Sequence, residues 1–305
     1  MSLLQGIVPP ILTPMNTDGG VDYDSLDRLL DHLLDAGVDG IFAMGSSGQV
    51  AYLTDAERDE VIGRVLARVA GRVPVVAGVA DFTARRVIEQ ARRAADAGVA
   101  AVVVTAPLYA LNDTAEIADH FRMVAAAVDV PVIAYDVPVR VKTKLGNDLV
   151  MQLATEGTIA AVKDSSGDDV GFRRLAVANR AAGHPIDLLS GHEVMCDAMG
   201  MAGADGLVPG LGNVDPAGYL RLWKAVRAAD WVTALAEQNR LNKLMEIAFV
   251  PQGRSGDAGG IGGFKTALEL LGVIDSATMP APLALLSDAD RDAIRAILVE
   301  VDLLS

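Results

Sequence analysis

Four groups of residues in this chain could do carbonyl chemistry together. Lys163 ends the apolar run 158–162 and is followed by Asp164-Ser165-Ser166-Gly167. An ammonium is costly on a strand buried on both faces, which favours the neutral amine, the form that attacks a ketone carbonyl to give a Schiff base. Tyr135, in Ala134-Tyr135-Asp136-Val137-Pro138, shares the parity of Ile133 and Val137. A phenol there can act as general acid or base once its proton has a relay partner. Ser46 and Ser47, between Gly45 and Gly48, can offer hydroxyl and backbone N–H donors to a carboxylate. Arg140, two residues past Pro138, carries a fork-shaped cation able to hold a carboxylate. Each has an ordinary reading alone: a solvated strand end paired with Asp164, a core aromatic, a βα turn, a surface arginine. No ordinary reading explains the four together.

The elements that must position them follow from the periodicity around them. Short β-branched runs alternate with longer amphipathic segments rich in Ala, Leu and Arg, the pattern of a parallel sheet with crossover helices. Strands are predicted at 6–13, 40–44, 73–79, 101–106, 130–137, 159–163, 187–190 and 206–208. Eight strand–helix units at about thirty-residue spacing read as a (β/α)8 barrel, whose active site lies at the carboxyl ends of the strands. An open doubly wound sheet is the alternative, but no Gly-x-Gly-x-x-Gly follows the first strand. Gly37, Gly98 and Gly203 each fall between a helical segment and the next strand, where a left-handed cap is needed. Thr54 and Glu57 have capping-box spacing ahead of the stripe Val61, Val65, Val69.

After Pro216 the strand signal stops, and 217–250, 263–271 and 288–304 read as helical. The expected division is a barrel over 1–229 carrying the site and a C-terminal helical domain over 230–305. The glycine-rich stretch 251–263 has the composition of a phosphate cradle but lacks the strand and the Gly-Lys-Ser/Thr of a P-loop. It is expected to be a flexible linker between helices.

Composition excludes several functions. The chain has 305 residues, 51% of them hydrophobic, and a formal charge of -14. That balance argues against nucleic acid and anionic membranes, though not against a small anionic substrate met by local cations. Cys196 is the only cysteine, so no intrachain disulfide and no cysteine-rich zinc site is expected. His32, His120, His184 and His192 are scattered, and no metal is expected. The start, Met1 to Gly6, lacks the basic and apolar regions of a signal peptide. No apolar stretch approaches the roughly 20 residues of a membrane helix. A cytoplasmic protein is expected.

Gly45-Ser46-Ser47-Gly48, Tyr135-Asp136-Val137-Pro138 with Arg140, and Val162-Lys163-Asp164 with Ser166-Gly167, in that order and spacing, resemble the dihydrodipicolinate synthase and N-acetylneuraminate lyase family over essentially the whole chain. The resemblance implies a class I, Schiff-base-forming aldolase or synthase on a (β/α)8 barrel. It further implies a homotetramer built as a dimer of dimers, with no organic cofactor. By the same resemblance Lys163 forms the imine with pyruvate or another 2-oxo acid, and Tyr135 shuttles protons. Ser46 links Tyr135 to Tyr109, which in the family reaches across from a neighbouring subunit. Ser46 and Ser47 bind the pyruvate carboxylate, Gly191 and Val208 line the pocket through their backbones, and Arg140 takes the second substrate's carboxylate.

Four departures fall on the second-substrate side, where specificity resides. Gln49 stands where the synthases carry glutamate, and Leu108 replaces the first tyrosine of their Pro-Tyr-Tyr. Val141-Lys142 replace the Thr-Gly that usually follows the arginine, and His192-Glu193 stand where two aspartates are common. The expected activity is condensation of pyruvate with aspartate semialdehyde, that of a 4-hydroxy-tetrahydrodipicolinate (dihydrodipicolinate) synthase. The alternative is a 2-keto-3-deoxy sugar acid or 4-hydroxy-2-oxoglutarate aldolase of the same mechanism. A reading of another class is a non-catalytic module that binds a 2-oxo acid. Retention of both Lys163 and Tyr135 argues against that, because binding alone needs neither nucleophile nor proton relay.

Overall fold

The β-branched runs form strands because both of their faces can be covered, and in the computed structural model, which describes residues 3–305, they are. Met1 and Ser2, part of the chain start considered above, lie outside the described residues. The strands are β1 (Gly6–Ile7), β2 (Ile41–Ala43), β3 (Val75–Gly78), β4 (Ala101–Thr105), β5 (Val132–Asp136), β6 (Ala161–Asp164), β7 (Asp187–Ser190) and β8 (Gly206–Leu207), and every residue in them is buried. They pair in parallel in the order β1-β8-β7-β6-β5-β4-β3-β2. Closure comes from the segment after β1, where the Phe42 N–H donates to the Pro9 carbonyl at 3.0 Å and the Ile11 N–H to the Phe42 carbonyl at 2.9 Å. The result is a (β/α)8 barrel.

β1 is far shorter than the 6–13 run predicts. Pro9 and Pro10 bring no N–H to a ladder, so pairing beyond Ile7 shrinks to the isolated bridge between Pro10 and Phe42. The 187–190 prediction matches β7, 159–163 starts two residues early and stops one short of β6, and the rest overrun their ladders by one to three residues.

Twelve helices accompany the strands among the described residues. α1 (Tyr23–Ala36), α2 (Asp55–Val69), α3 (Ala84–Ala97) and α4 (Thr114–Ala125) are followed by a single turn, α5 (Pro138–Val141), and then by α6 (Asn147–Thr155), α7 (Asp169–Ala181), α8 (Cys196–Ala202) and α9 (Pro216–Arg227). Gly37, Gly98 and Gly203 take φ of 94°, 102° and 113° at the ends of α1, α3 and α8, as their spacing predicts. The capping box is formed: Glu57 N–H donates to Thr54 Oγ1 at 3.3 Å, and Thr54 N–H to Glu57 Oε2 at 2.8 Å. Val61, Val65 and Val69 are wholly buried.

The remaining helices, α10 (Trp231–Met245), α11 (Gly262–Leu270) and α12 (Asp288–Glu300), form the appendage. The chain turns between α9 and α10 through Ala229, whose φ is 55°. One buried apolar cluster runs from Ile7 and Phe42 in the barrel to Leu244, Phe264 and Leu298 in the appendage. The glycine-rich stretch is not the flexible linker its composition suggests: Asp257–Ile261 forms a π-helical turn leading into α11, with Ala258 and Ile261 buried. No helix among the described residues is long and apolar enough to cross a membrane.

Lys265, on α11, is fully buried and donates from Nζ to the Thr278 carbonyl at 3.0 Å. It thereby ties the segment after α11 to that helix. Burial lowers its pKa from 10.5 to about 7. Above 10.5 neither state is charged, so there is no penalty. Between the two values the unfolded chain holds a proton that the native chain lacks, and stability falls as pH falls, by on the order of 5 kcal/mol in all. The melting temperature should therefore climb from pH 7 to pH 10 more steeply in the wild type than in Lys265→Met. Equal slopes by scanning calorimetry would reject this account.

Candidate active site

β5 and β6 pair with Tyr135 directly opposite Lys163. Strands that end side by side present these two groups to the same space at the carboxyl end of the barrel. Both are buried, with exposures of 7% and 5%. Lys163 Nζ lies 4.2 Å from the centroid of the Tyr135 ring and 4.9 Å from that of Phe42. The two rings meet edge to face at 6.2 Å. The amine thus sits against aromatic faces, contacts that favour a cation by about 0.5–2 kcal/mol each. The Phe42 contact was not foreseen, because an apolar residue in mid-strand carries no signal of chemistry.

Burial alone would raise the Tyr135 pKa. The charge of Lys163 opposes it, together with hydrogen bonds involving Ser165, Ser46 and Lys163, and the phenol ends below its ordinary 10.0. Ser165 was also missed, although it lies two residues past the lysine. An amine and an acidified phenol in contact can exchange a proton, and the two serines give that proton further places to go.

The loop after β6 is pinned from several sides. Ser165 N–H donates to the Asp136 carbonyl at 2.9 Å, and Gly191 N–H to the Asp164 carbonyl at 2.7 Å. Asp164 does not neutralise Lys163. Successive strand residues face opposite ways, and its carboxylate accepts from Ser166 N–H at 2.8 Å with His192 Nε2 3.5 Å away. Burial pushes the Asp164 carboxyl up, but these contacts outweigh it and leave the pKa lowered. His192 in turn accepts from Gly167 N–H at 3.1 Å and holds Asp169 on its other nitrogen.

Lys163, Tyr135, Ser46, Ser47, Gly191 and Val208 line one cleft of about 200 Å³, with Arg140 at its edge. A second, mainly apolar chamber of about 100 Å³ adjoins it and shares Ser46, Tyr135, Val137 and Arg140 as walls. Seven of the eight residues singled out in the sequence are therefore brought together. Tyr109 is not: it is 95% exposed, and its ring packs edge-on against Phe82 at 6.5 Å. Lys142 is exposed and borders neither chamber. Met44, Gln49, Tyr109 and Lys142 have positive φ on the loops after β2, β4 and β5, so backbone strain gathers on the face that carries the site. Gly78 makes the first of these possible, since a Cβ there would lie 2.2 Å from the Met44 carbonyl oxygen.

Arg140 is not free. Its guanidinium engages both carboxylate oxygens of Asp257, one contact measuring 2.9 Å. Asp257 raises the arginine further above its ordinary range. The Tyr52 hydroxyl stands 3.4 Å from the same carboxylate. Sequence reading missed Asp257, although it is the one acidic residue in the glycine-rich stretch 251–263. Gln49 is 2% exposed; its Nε2 lies 3.8 Å from Met279 Sδ, and its Oε1 has no partner. Glu193 borders the cleft but is committed to Leu211 N–H at 2.8 Å and Tyr219 Oη at 3.3 Å, and burial raises its pKa.

A closed barrel with its reactive groups gathered at the carboxyl ends of the strands defines a (β/α)8 enzyme. Comparison with known proteins narrows this: the model of the dihydrodipicolinate synthetase family matches residues 3–301. The chain belongs to that family, and it is a lyase. An uncharacterised DapA-like lyase of Halobacterium salinarum is 35% identical over 302 residues, 99% of this chain and 95% of that one. The 4-hydroxy-tetrahydrodipicolinate synthase of Methanoculleus marisnigri is 32% identical over 97% of this chain and 99% of its own. Among solved structures, YagE, a prophage protein of this family from E. coli K12 in complex with pyruvate, superposes with a TM-score of 0.92. It is 28% identical, with 99% of this chain and all of that one covered.

The electrostatic coupling at the centre can be tested without turnover. In Lys163→Met the opposing charge is gone and burial remains, so Tyr135 should titrate at higher pH than in the wild type. Ultraviolet difference titration, with Tyr135→Phe as the blank, reads this directly. An unmoved titration would mean that the ammonium does not act on the phenol.

Proposed function

We propose that this protein is a Schiff-base-forming lyase that joins pyruvate to an aldehyde or releases it from the adduct. The observation that carries this reading is the contact of a buried lysine amine with an acidified tyrosine, beside a pair of serines in one cleft. Lys163 Nζ adds to the keto carbon of pyruvate to give a carbinolamine. Tyr135 returns a proton to the carbinolamine oxygen, which leaves as water and yields the imine. The imine draws electrons from the adjacent carbon, so loss of a methyl proton gives an enamine, and its carbon attacks the aldehyde carbonyl. Cleavage runs the same steps backwards.

Ser46 and Ser47 hold the pyruvate carboxylate by hydrogen bonds, and the backbones of Gly191 and Val208 shape the pocket around it. The lysine is itself the electron sink, so the scheme calls on no metal and no organic cofactor. The pyruvate complex of the YagE protein supports this choice of 2-oxo acid. Tyr109, exposed in the single chain, fits a homotetramer in which it reaches the cleft of a neighbouring subunit and passes protons through Ser46 to Tyr135.

The aldehyde is the finer question. Aspartate semialdehyde, the first choice from sequence, would bring a carboxylate to Arg140, and Arg140 would have to exchange Asp257 for it. Glyoxylate, released from 4-hydroxy-2-oxoglutarate, meets the same obstacle. A 2-keto-3-deoxy sugar acid does not, because its aldehyde fragment is uncharged.

Incubation with pyruvate and borohydride should add a reduced pyruvyl group to the peptide containing Lys163, and Lys163→Ala should trap none. Absence of the adduct at neutral pH, or its persistence in Lys163→Ala, would sink the imine scheme. Tyr135→Phe should keep the wild-type melting temperature yet slow imine formation and turnover by about 10²–10⁴-fold. A loss below tenfold would remove the phenol from the proton path.

A further inference from the structure

We infer that Asp257 is a specificity-determining residue, which sets the aldehyde side of the cleft to take uncharged, hydroxyl-bearing aldehydes and to refuse those carrying a carboxylate. The inference rests on the pyruvate-imine reading above and names the class of its second substrate. A guanidinium presents a planar fork that suits one carboxylate. Here that fork is filled from within the chain, by a residue 117 positions away. An arriving carboxylate would have to displace Asp257 and leave it without its cation at 18% side-chain exposure, beside a second negative charge. Recognition built on an internal repulsive element of this kind excludes as well as selects.

Asp257 is held where it can do this. It begins the π-helical turn Asp257–Ile261 that runs into α11, and the Tyr52 hydroxyl approaches its carboxylate from the loop after β2. The hydrogen-bonding inventory of the chamber points the same way. Gln49 lines it and carries a buried amide oxygen with no partner. Among the polar side chains that line this chamber, the Asp257 carboxylate, balanced by its cation, and the Gln49 amide, its oxygen buried, each carry an acceptor oxygen. Both accept hydrogen bonds. A hydroxyl can donate to them, and a carboxylate has nothing to donate.

The test compares glyceraldehyde with aspartate semialdehyde as partner for pyruvate, with products measured by mass spectrometry in the wild type and in Asp257→Asn. The wild type should favour glyceraldehyde in kcat/KM by at least about tenfold. Asp257→Asn leaves the Arg140 cation uncompensated, and should move the ratio toward aspartate semialdehyde by about tenfold or more while borohydride trapping of pyruvate stays unchanged. A purely structural role would lower both rates together and leave their ratio where it was, which would overturn the inference. Should Asp257→Asn fail to fold, the wild-type ratio decides, and a preference for aspartate semialdehyde overturns it. If pyruvate is trapped normally and either of these results appears, only the role of Asp257 falls. If the wild type traps no pyruvate, the imine reading falls and takes this one with it.

Discussion

The register of β5 against β6 is the constraint on which the rest depends. Parallel pairing sets Tyr135 opposite Lys163, and because side chains alternate along a strand, a slip of one residue in either would turn its member of the pair out of the cleft. Nothing local enforces that register. It is held by the barrel: β6 is fixed on its other edge by β7, with Lys163 opposite Leu189, and β5 by β4, with Tyr135 opposite Thr105. A buried amine with no carboxylate to lean on is costly unless its surroundings receive it. Here two aromatic faces receive it, together with a phenol whose loss of a proton that charge favours, and the arrangement that makes the lysine tolerable also makes it able to exchange a proton.

The parts legible in the sequence were those whose signal is local. Strand positions followed from apolar runs, helix ends from Gly37, Gly98 and Gly203, and one helix start from Thr54 and Glu57. Lys163 stood out because a cation closing an apolar run is a local anomaly. Its partners could be found because a barrel gathers strand ends, so the site could be assembled from loop positions without coordinates. β1 came out too long because the β-branched character of 6–13 outweighed the two prolines that deprive it of donors. The glycine-rich stretch came out wrong because composition reports backbone freedom and says nothing of what the tertiary fold does with it. Asp257 was invisible for a related reason. Its meaning lies entirely in a contact with Arg140, and no periodicity or motif spans 117 residues.

The two halves of the site are therefore built differently. The cleft around Lys163, which the proposed function makes the imine side, is built by barrel strands and the loops directly after them: Lys163, Tyr135, Ser46 and Ser47 owe their positions to the sheet. The chamber proposed to meet the aldehyde draws on the appendage. Asp257 comes from the turn before α11, and Met279, which touches Gln49, comes from the segment that Lys265 ties to α11 through Thr278. On the proposed reading, substitutions in the appendage would alter which aldehyde is met without disturbing the register that sets Tyr135 opposite Lys163. Of the departures from the synthase pattern noted in the sequence, Gln49, Leu108 and Val141 line the apolar chamber, whereas Glu193 borders the cleft that holds Lys163 and Lys142 borders neither. On the proposed reading, a fold that keeps its carbonyl chemistry in the strands and leaves the choice of partner to packed helices would change substrate through a single ion pair.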